Sequence, residues 1–564
     1  MNIQKARFTN NLTVFLSAAL LLMLNAASSA SQAYSCATSC LAPDCYCASP
    51  QLPSGLSRSE IPQFVVITFD DALHETASDL TEQIAGQQHS NPNGSIVPFT
   101  YYVSTNYTNY HLVQQRHAQG HEIAVHTMTH TTGTQTTYDV WRAEIVGARE
   151  ALANIAQIPL ADIVGFRAPF LKHSDLSTAV LHEEGFLYDS SIAEAPGLLS
   201  NNAAEFIWPY TLDSMGAQEC HSGECPQYNY PGLWQVPMWM LLDTANRPMA
   251  VMDPPGTRDS LLNLYSYNFD QRLQGNRAPL GIFLHAGWLS DPQHVQAVND
   301  FIEYANTHND VWFVTNRQLI EWIKNPIPAD EMDTWEWVQP ESPSTVVEIA
   351  DGWDNDSDGA IDEDSKQTCN YSFSTFETNN TDCPNDYPSL NVIPFYQITT
   401  AVALSGSVEV TCADPEWDPT RTYVGGETVS YLGNTYVTKW WAGQSNPTGG
   451  NAWQDLGTCT PLAGSGGRIS ADQKRFYPSG SNAFFEFIAD NGFRVENVVV
   501  NGVAQTLAPQ YQFENINQDL HLTVSFTIDE EARAYSVPIL NSLGVIGLAL
   551  CLSYLGMRKP NKTF

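Results

Sequence analysis

The chain has 564 residues, too many for one compact hydrophobic core, so several domains are expected. Its formal net charge of −36 offers no cationic surface to phosphates, which argues against nucleic acid and against anionic lipid as partners. The same acidity fits a soluble, extracellular surface in Ca²⁺-rich surroundings.

At the N-terminus, Lys5 and Arg7 precede the apolar stretch Leu12–Leu24 and then small residues ending in Ser31, Gln32 and Ala33. This is the layout of a secretory signal over residues 1–33, with cleavage after Ala30 or Ala33. Eleven cysteines suit that route. Cys36, Cys40, Cys45 and Cys47 cluster in a Cys-rich segment at 34–59; pairs follow at Cys220/Cys225, Cys369/Cys383 and Cys412/Cys459, with Cys551 left over. Disulfides in an oxidising compartment account for the even set, and a zinc knuckle in the first cluster is the alternative, for which the spacing is poor.

Residues 60–327 alternate strand-like apolar runs with helical patterns. Strands are expected at Phe64–Thr68, Glu122–Val125, Ile163–Phe166, Leu280–Leu284 and Val311–Val314. Helices are expected at Tyr107–Gln119, Tyr138–Ala156, Ser174–Glu184, His294–Asn306 and Thr315–Lys324, the second with Trp141, Ile145, Ala148 and Leu152 at helical spacing. Repeated β-α units imply a mainly parallel barrel or open sheet whose chemistry lies at the C-terminal strand ends. Asp70, His126, Arg167 and His285 each follow such a strand, which places them at one site.

Beyond the β-α region, Pro326–Pro343 is Pro-rich and acidic, so 328–350 reads as a linker. Residues 351–365 carry Asp354, Asp356, Asp358, Gly359, Ile361 and Asp362, the opening of a calcium loop. Counted from Asp354, position twelve is Ser365 and not the bidentate Glu of an EF-hand; Asp362 or Asp364 could substitute, and a solvated acidic linker is the plainer alternative. Residues 366–411 give no clear pattern. Between Cys412 and Cys459 lies an aromatic-rich module with Trp417, Tyr423, Tyr431, Tyr436, Trp440, Trp441 and Trp453, and Gly433-Asn434 marks a hairpin between Thr428–Leu432 and Thr435–Trp440. So small a unit cannot bury every ring; exposed ones can stack on sugar faces, while others form a miniature core. Residues 460–528 alternate as a small β-sandwich. In the tail, 536–564, an apolar stretch Leu543–Leu555 precedes Arg558, Lys559 and Lys562; counted from Val537 it is just long enough to span a bilayer, a buried core helix being the alternative.

The chemistry begins at Thr68-Phe69-Asp70-Asp71, two adjacent carboxylates where a buried strand emerges, and at His126-Thr127-Met128-Thr129-His130, two imidazoles spaced to reach one ion. Alone, the acids could cap a helix and the histidines could be surface residues. Together they supply the ligands and the spare carboxylate that metal-assisted hydrolysis needs. With Arg167-Ala-Pro-Phe170, Asp189-Ser-Ser191 and Phe283-Leu-His-Ala-Gly-Trp288, they make five ordered motifs.

Residues 40–325 resemble the polysaccharide deacetylase family (the NodB-homology domain), especially its chitin deacetylase branch. The stretches Pro43–Cys47 and Pro231–Met238 are similar to the animal-type chitin deacetylases. The resemblance implies a multidomain protein with an α/β distorted (β/α) barrel as catalytic domain, at 60–327, plus small all-β C-terminal modules. By position, Asp71, His126 and His130 would bind the metal, Zn²⁺ or another divalent transition metal. Asp70 would be the general base, Arg167 would hold it in place, and His285 would be the general acid. Asp189 would orient His285 or support the pocket, which Phe170, Phe283 and Trp288 would shape. The motif at 167–170 has Ala168 where many members carry Pro, and the Asp189 motif lacks its Trp, a space that Trp208 or Trp234 could fill. The 412–459 module resembles short chitin-binding modules of bacterial chitinases, which would put Trp417, Tyr431, Trp440 and Trp441 against sugar rings. The tail resembles sorting signals of bacterial exported proteins, implying cell-surface or membrane attachment or loss of the tail. The combined expectation is an exported bacterial enzyme that removes acetyl groups from chitin or another N-acetylglucosamine polymer, with possible Ca²⁺ in addition. A peptidoglycan or acetylxylan deacetylase and a catalytically silent chitin-binding surface protein are the alternatives.

Overall fold

A computed structural model of the chain describes residues 34–335, 367–404, 418–458 and 467–529 apart from short gaps, the longest at 195–204. The expected signal, the linker from residue 336 on, the calcium-like loop with Asp354, Asp356, Asp358 and Asp362, and the C-terminal tail lie outside the described residues. So do Trp417, Trp440, Trp441, Cys412 and Cys459. Among the described residues no helix is long and apolar enough to cross a membrane. The chain divides into two compact units, residues 1–390 and 391–564.

In the first unit the strands are β1 (Gln63–Asp71), β2 (Phe99–Val103), β3 (Glu122–Val125), β4 (Gly165–Phe166), β5 (Tyr188–Asp189), β6 (Ala193–Glu194), β7 (Tyr210–Leu212), β8 (Tyr230–Gln235), β9 (Met238–Trp239), β10 (Leu280–His285) and β11 (Val311–Phe313). The helices are α1 (Glu75–Ala85), α2 (Tyr110–Ala118), α3 (Tyr138–Ile155), α4 (Asp175–Glu183), α5 (Arg258–Gln274), α6 (Pro292–Ala305) and α7 (Asn316–Lys324). The main sheet runs β10-β1-β2-β3-β4-β5-β8-β7, with β11 also paired to β1, and curls into a half-barrel flanked by helices. Every pair in it is parallel except β7 with β8. Central β1 shows why: all of it but Asp71 is buried, as expected of a parallel strand covered on both faces. Ser174 and Ser177, Thr257 and Ser260, and Thr315 and Gln318 form capping boxes that start α4, α5 and α7.

The Cys-rich segment is stapled by Cys36–Cys47 and Cys40–Cys45, which leaves no thiolates for a zinc knuckle. It joins the edge of the sheet, Tyr46 and Thr211 exchanging backbone and hydroxyl hydrogen bonds. Cys220–Cys225 and Cys369–Cys383 also pair.

Two elements in the β-α region carry no apolar period. Strand β2, Phe-Thr-Tyr-Tyr-Val, is buried at every position and so does not alternate. Helix α5 buries Leu261, Tyr265 and Phe269 but also Asn268 and Arg272, which breaks its apolar stripe. Asn268 is buried because it completes β9's exit: Oδ1 accepts from Leu242 N at 2.8 Å and Nδ2 donates to Leu242 O at 2.8 Å.

The unpatterned stretch 366–411 divides between the units. Strands β12 (Gln367–Asn370) and β13 (Thr375–Thr378) form an antiparallel hairpin in the first. Strand β14 (Phe395–Leu404) belongs to the second, with β15 (Thr428–Tyr431), β16 (Asn434–Thr438), β17 (Trp453–Thr458), β18 (Gly467–Ser470), β19 (Phe476–Pro478), β20 (Ala483–Ala489), β21 (Phe493–Val500), β22 (Val503–Ala504), β23 (Gln510–Phe513) and β24 (Leu520–Ile528). Sheets β19-β14-β24-β21-β22 and β18-β20-β23 enclose a shared core around Phe485, Phe513, Leu522 and Phe526. Because β14 pairs in parallel with β24, the three-stranded β15-β16-β17 sheet is an insertion within the sandwich sequence. Tyr423, Val429, Tyr436 and Trp453 form its small core, so these rings are structural.

Asn268→Ala leaves the Leu242 N–H buried without an acceptor, at a cost of about 2 kcal/mol. The denaturant midpoint of the first unit, followed by tryptophan fluorescence, should fall accordingly; an unchanged midpoint would contradict this role.

Candidate active site

The sheet order brings the C-terminal ends of β10, β1, β3, β4 and β5 to one rim. Asp70 and Asp71 end β1, His285 ends β10 directly beside Asp70, and His126 and Arg167 leave β3 and β4. Successive strand residues point to opposite faces, so the two carboxylates diverge. Asp70 is buried, whereas Asp71, with φ of 83°, breaks from the strand and keeps 45% of its side chain exposed.

Asp71 Oδ1 lies 2.8 Å from His130 Nε2 and 3.6 Å from His126 Nε2. One ligand atom from each of the three residues falls within 4.8 Å of the others. His126 Nδ1–H donates to Arg167 O at 2.8 Å, which leaves Nε2 with its lone pair facing the carboxylate oxygen. Three donor atoms that converge in this way could hold a metal ion. Two imidazole nitrogens and one carboxylate oxygen are a donor set for a catalytic zinc-like ion that retains an open position. Burial works against the charged form of Asp71, but the neighbouring His126 and His130 outweigh it and hold the carboxyl well below the usual range.

The histidine turn is strained: Thr127 has φ of 70° and His130 φ of 53°. Buried Glu144 of α3 holds it, accepting from Met128 N and Thr129 N, both at 2.9 Å, and from Thr129 Oγ1 at 2.6 Å. Its sequence signal is an acid on the apolar Trp141–Ile145 face of a helix.

Asp70 sits apart from the ligand cluster, bound at 2.6 Å to Arg167 Nη1. That guanidinium also donates to Thr68 Oγ1 at 2.8 Å, Ser190 O at 2.8 Å and Ser190 Oγ at 3.1 Å. It stacks 4.0 Å above Tyr102 and 5.1 Å from Phe283. Phe283 is therefore packed beneath Arg167, 2% exposed, and does not line an open pocket. Phe170, by contrast, is exposed with its ring 4.8 Å from that of His130. Trp288 is half-buried, donating Nε1–H to Pro254 O and stacking on His294. Trp208 packs against Trp322 and Trp234 against Tyr46, so both are core residues and neither fills a pocket wall.

The carboxylate on His285 is Asp253 and not Asp189. Asp253 Oδ1 accepts the His285 backbone N–H at 2.9 Å, and Oδ2 accepts Nδ1–H. Nε2 then faces the site, 3.9 Å from Asp71 Oδ2. Burial would lower the His285 pKa, but the Asp253 hydrogen bond, with the charges of Asp70, Asp253 and Asp71, raises it to about 9. Asp189 instead accepts from Ser191 Oγ, which receives Ala168 N–H, so it supports the 167–170 turn. Burial pushes the Asp189 carboxyl up to about 7. Asp253 escapes sequence reading because it follows no long strand; its mark is a Met-Asp-Pro-Pro turn with φ of 48° at the acid.

Residues 58–188 match the family model for polysaccharide deacetylase. Chitin deacetylase 8 of Bombyx mori is 35% identical over 310 residues, which cover 52% of this chain and 78% of the relative. The chain belongs to the polysaccharide deacetylase family. Chitin deacetylase 1 of Bombyx mori is 36% identical over 319 residues, 53% of this chain; the chain spans 58% of that relative's length. A family 4 carbohydrate esterase structure from Streptomyces lividans, in complex with acetate, aligns over 44% of this chain and 90% of its own, with 14% identity and a TM-score of 0.26.

Asp253→Asn removes the negative partner of His285 and leaves burial, which disfavours the imidazolium. The His285 pKa should fall by about 1–2 units, read by NMR titration of histidine-labelled protein. An unchanged titration would show that Asp253 does not set it.

Proposed function

We propose that the protein is an exported, metal-dependent deacetylase of chitin or chitin oligomers that releases acetate from N-acetylglucosamine units. The observation that carries this reading is the separation of Asp71, His126 and His130 as one donor cluster from Asp70, held by Arg167. The names of the two Bombyx mori relatives support chitin over other acetylated polymers.

A divalent ion held by Asp71, His126 and His130 would acidify water and polarise the acetamide carbonyl. Asp70 takes a proton from the attacking water at its carboxylate while Arg167 fixes its orientation. A backbone N–H near Phe170 offers a donor to the developing oxyanion. His285, with Nδ1–H held by Asp253, gives a proton from Nε2 to the departing amine nitrogen as the C–N bond breaks. Acetate and a free amine result, and Asp253 keeps the imidazole turned toward that nitrogen throughout. A separate acid and base match the two proton transfers of amide hydrolysis.

The inserted β15-β16-β17 sheet is proposed to hold insoluble chitin, with Trp417, Tyr431, Trp440 and Trp441 as sugar-stacking rings. Acetate release from N-acetylglucosamine oligomers, acetylated xylan and peptidoglycan sacculi tests the substrate. Activity on the oligomers is expected; activity on sacculi or xylan alone would overturn the chitin reading, and none with Zn²⁺ would favour a silent surface protein. Replacing Trp440 and Trp441 together by Ala should lower activity on insoluble chitin about tenfold and spare soluble oligomers. Equal losses on both would contradict a binding role for the insertion.

A further inference from the structure

The hairpin β12–β13 lies far along the chain from the β-α sheet and beyond the residues that match the family model, yet it packs on the loop that follows β2. Tyr107 N–H donates to Thr375 O at 2.6 Å, Thr375 N–H to Asn106 Oδ1 at 3.1 Å, and Glu377 N–H to Thr108 O at 2.9 Å. Tyr107 is 66% exposed and has φ of 66°, a conformation that the hairpin's hydrogen bonds hold in place. Behind the hairpin, Tyr387 stacks on Tyr371 and packs against Phe376, while Cys369–Cys383 closes the segment.

The gripped loop, residues 104–109, touches both segments that carry the candidate ligands. Toward Asp71, Ser104 N–H donates to Asp71 O at 3.4 Å, and Thr108 Oγ1 accepts from Leu73 N at 3.1 Å. Toward the histidines, Thr105 N–H donates to Thr127 O at 3.2 Å, and Thr105 Oγ1 donates to Met128 O at 2.8 Å. Tyr387 completes this last connection, its hydroxyl 3.1 Å from Thr105 Oγ1. The polarity follows from chemistry: a carbonyl only accepts, so Thr105 must donate to Met128 and Tyr387 must donate to Thr105. The Tyr387 oxygen can then accept from Ser374 Oγ at 3.2 Å and from Tyr110 Oη at 3.4 Å. All of these groups are buried, where an unmade hydrogen bond is costly and a complete one rigidifies.

We propose that the β12–β13 hairpin and Tyr387 are working parts of the catalytic unit, with Tyr387 a positioning residue that sets the His126–His130 turn through Thr105 and the Met128 carbonyl. Glu144 grips the turn by its N–H groups from α3, and the Tyr387–Thr105 relay grips it by its carbonyl from the other element. The strained turn is thus held at both ends of its peptide dipoles. The proposal rests on the reading of Asp71, His126 and His130 as metal ligands.

The test uses the full-length protein and measures Zn²⁺ affinity by competition with a chelating dye, alongside the thermal midpoint without metal. Tyr387→Phe keeps the ring stack and deletes the hydroxyl that donates to Thr105 and accepts from Ser374 and Tyr110; Thr105→Val deletes the relay while keeping the shape. Each should weaken Zn²⁺ binding about tenfold, the fall in the metal-free midpoint reading separately the cost of the lost buried hydrogen bonds, and Thr105→Ser should restore wild-type affinity. Wild-type affinity in both Tyr387→Phe and Thr105→Val would overturn the proposal, as would Thr105→Ser as weak as Thr105→Val. A wild-type protein that binds no Zn²⁺ would overturn the ligand assignment itself, and the proposal with it.

Discussion

The buried pair between Arg167 and Asp70 is the constraint on which the site depends. Arg167 is fully enclosed, and Asp70 almost so. Burial would lower the guanidinium pKa, but the charge and hydrogen bond of Asp70, together with Tyr102 and Tyr188, more than offset it. Removing one partner of such a pair strands a charge in low dielectric, at a cost of about 3–5 kcal/mol. The surroundings of Arg167 reflect this: Thr68, Ser190 and the faces of Tyr102 and Phe283 occupy what Asp70 does not. Phe283 serves as a floor that fixes the height of the pair, with Gly281 beside it because a Cβ there would meet the ring at 2.1 Å.

Given that anchor, the neighbouring acid is free for other chemistry. Strand pleating turns Asp71 to the opposite side of β1, and its left-handed backbone carries it out to the two histidines. The same division recurs across the rim. Asp253 serves His285, Asp189 serves the 167–170 turn through Ser191, and Glu144 serves the histidine turn. Each acid is matched to one group, so four carboxylates and one candidate cation site coexist in a small volume without repelling one another out of register.

The parts of this that sequence reveals are those set by local pattern. Strand-end placement located Asp70, Asp71, His126, Arg167 and His285, because a parallel sheet puts strand termini on one rim. Asp189 was marked only by its motif and the family resemblance; it does end a strand but turns to Ser191, an orientation that no spacing encodes. Asp253 and Glu144 stayed hidden because one lies in an unpatterned turn and the other on an apolar helix face where polar residues are expected to be absent. Helix α5 and the β12–β13 hairpin were illegible for a shared reason. Their stabilising contacts, Asn268 with Leu242 and Tyr387 with Thr105, are hydrogen bonds to distant chain and leave no periodic trace. The aromatic module divided similarly: Tyr423, Tyr436 and Trp453 proved to be core, which only packing could distinguish from a sugar-binding face.

If the two adjacent carboxylates have separate tasks, Asp70→Asn and Asp71→Asn in the full-length protein should fail in different ways. Bound Zn²⁺ and acetate release from N-acetylglucosamine oligomers would be measured on the same samples. Asp70→Asn should retain one equivalent of Zn²⁺ and lose acetate release, whereas Asp71→Asn should lose both. An Asp70→Asn protein that releases acetate at the wild-type rate, or an Asp71→Asn protein that binds Zn²⁺ as tightly as wild type, would contradict that separation of tasks.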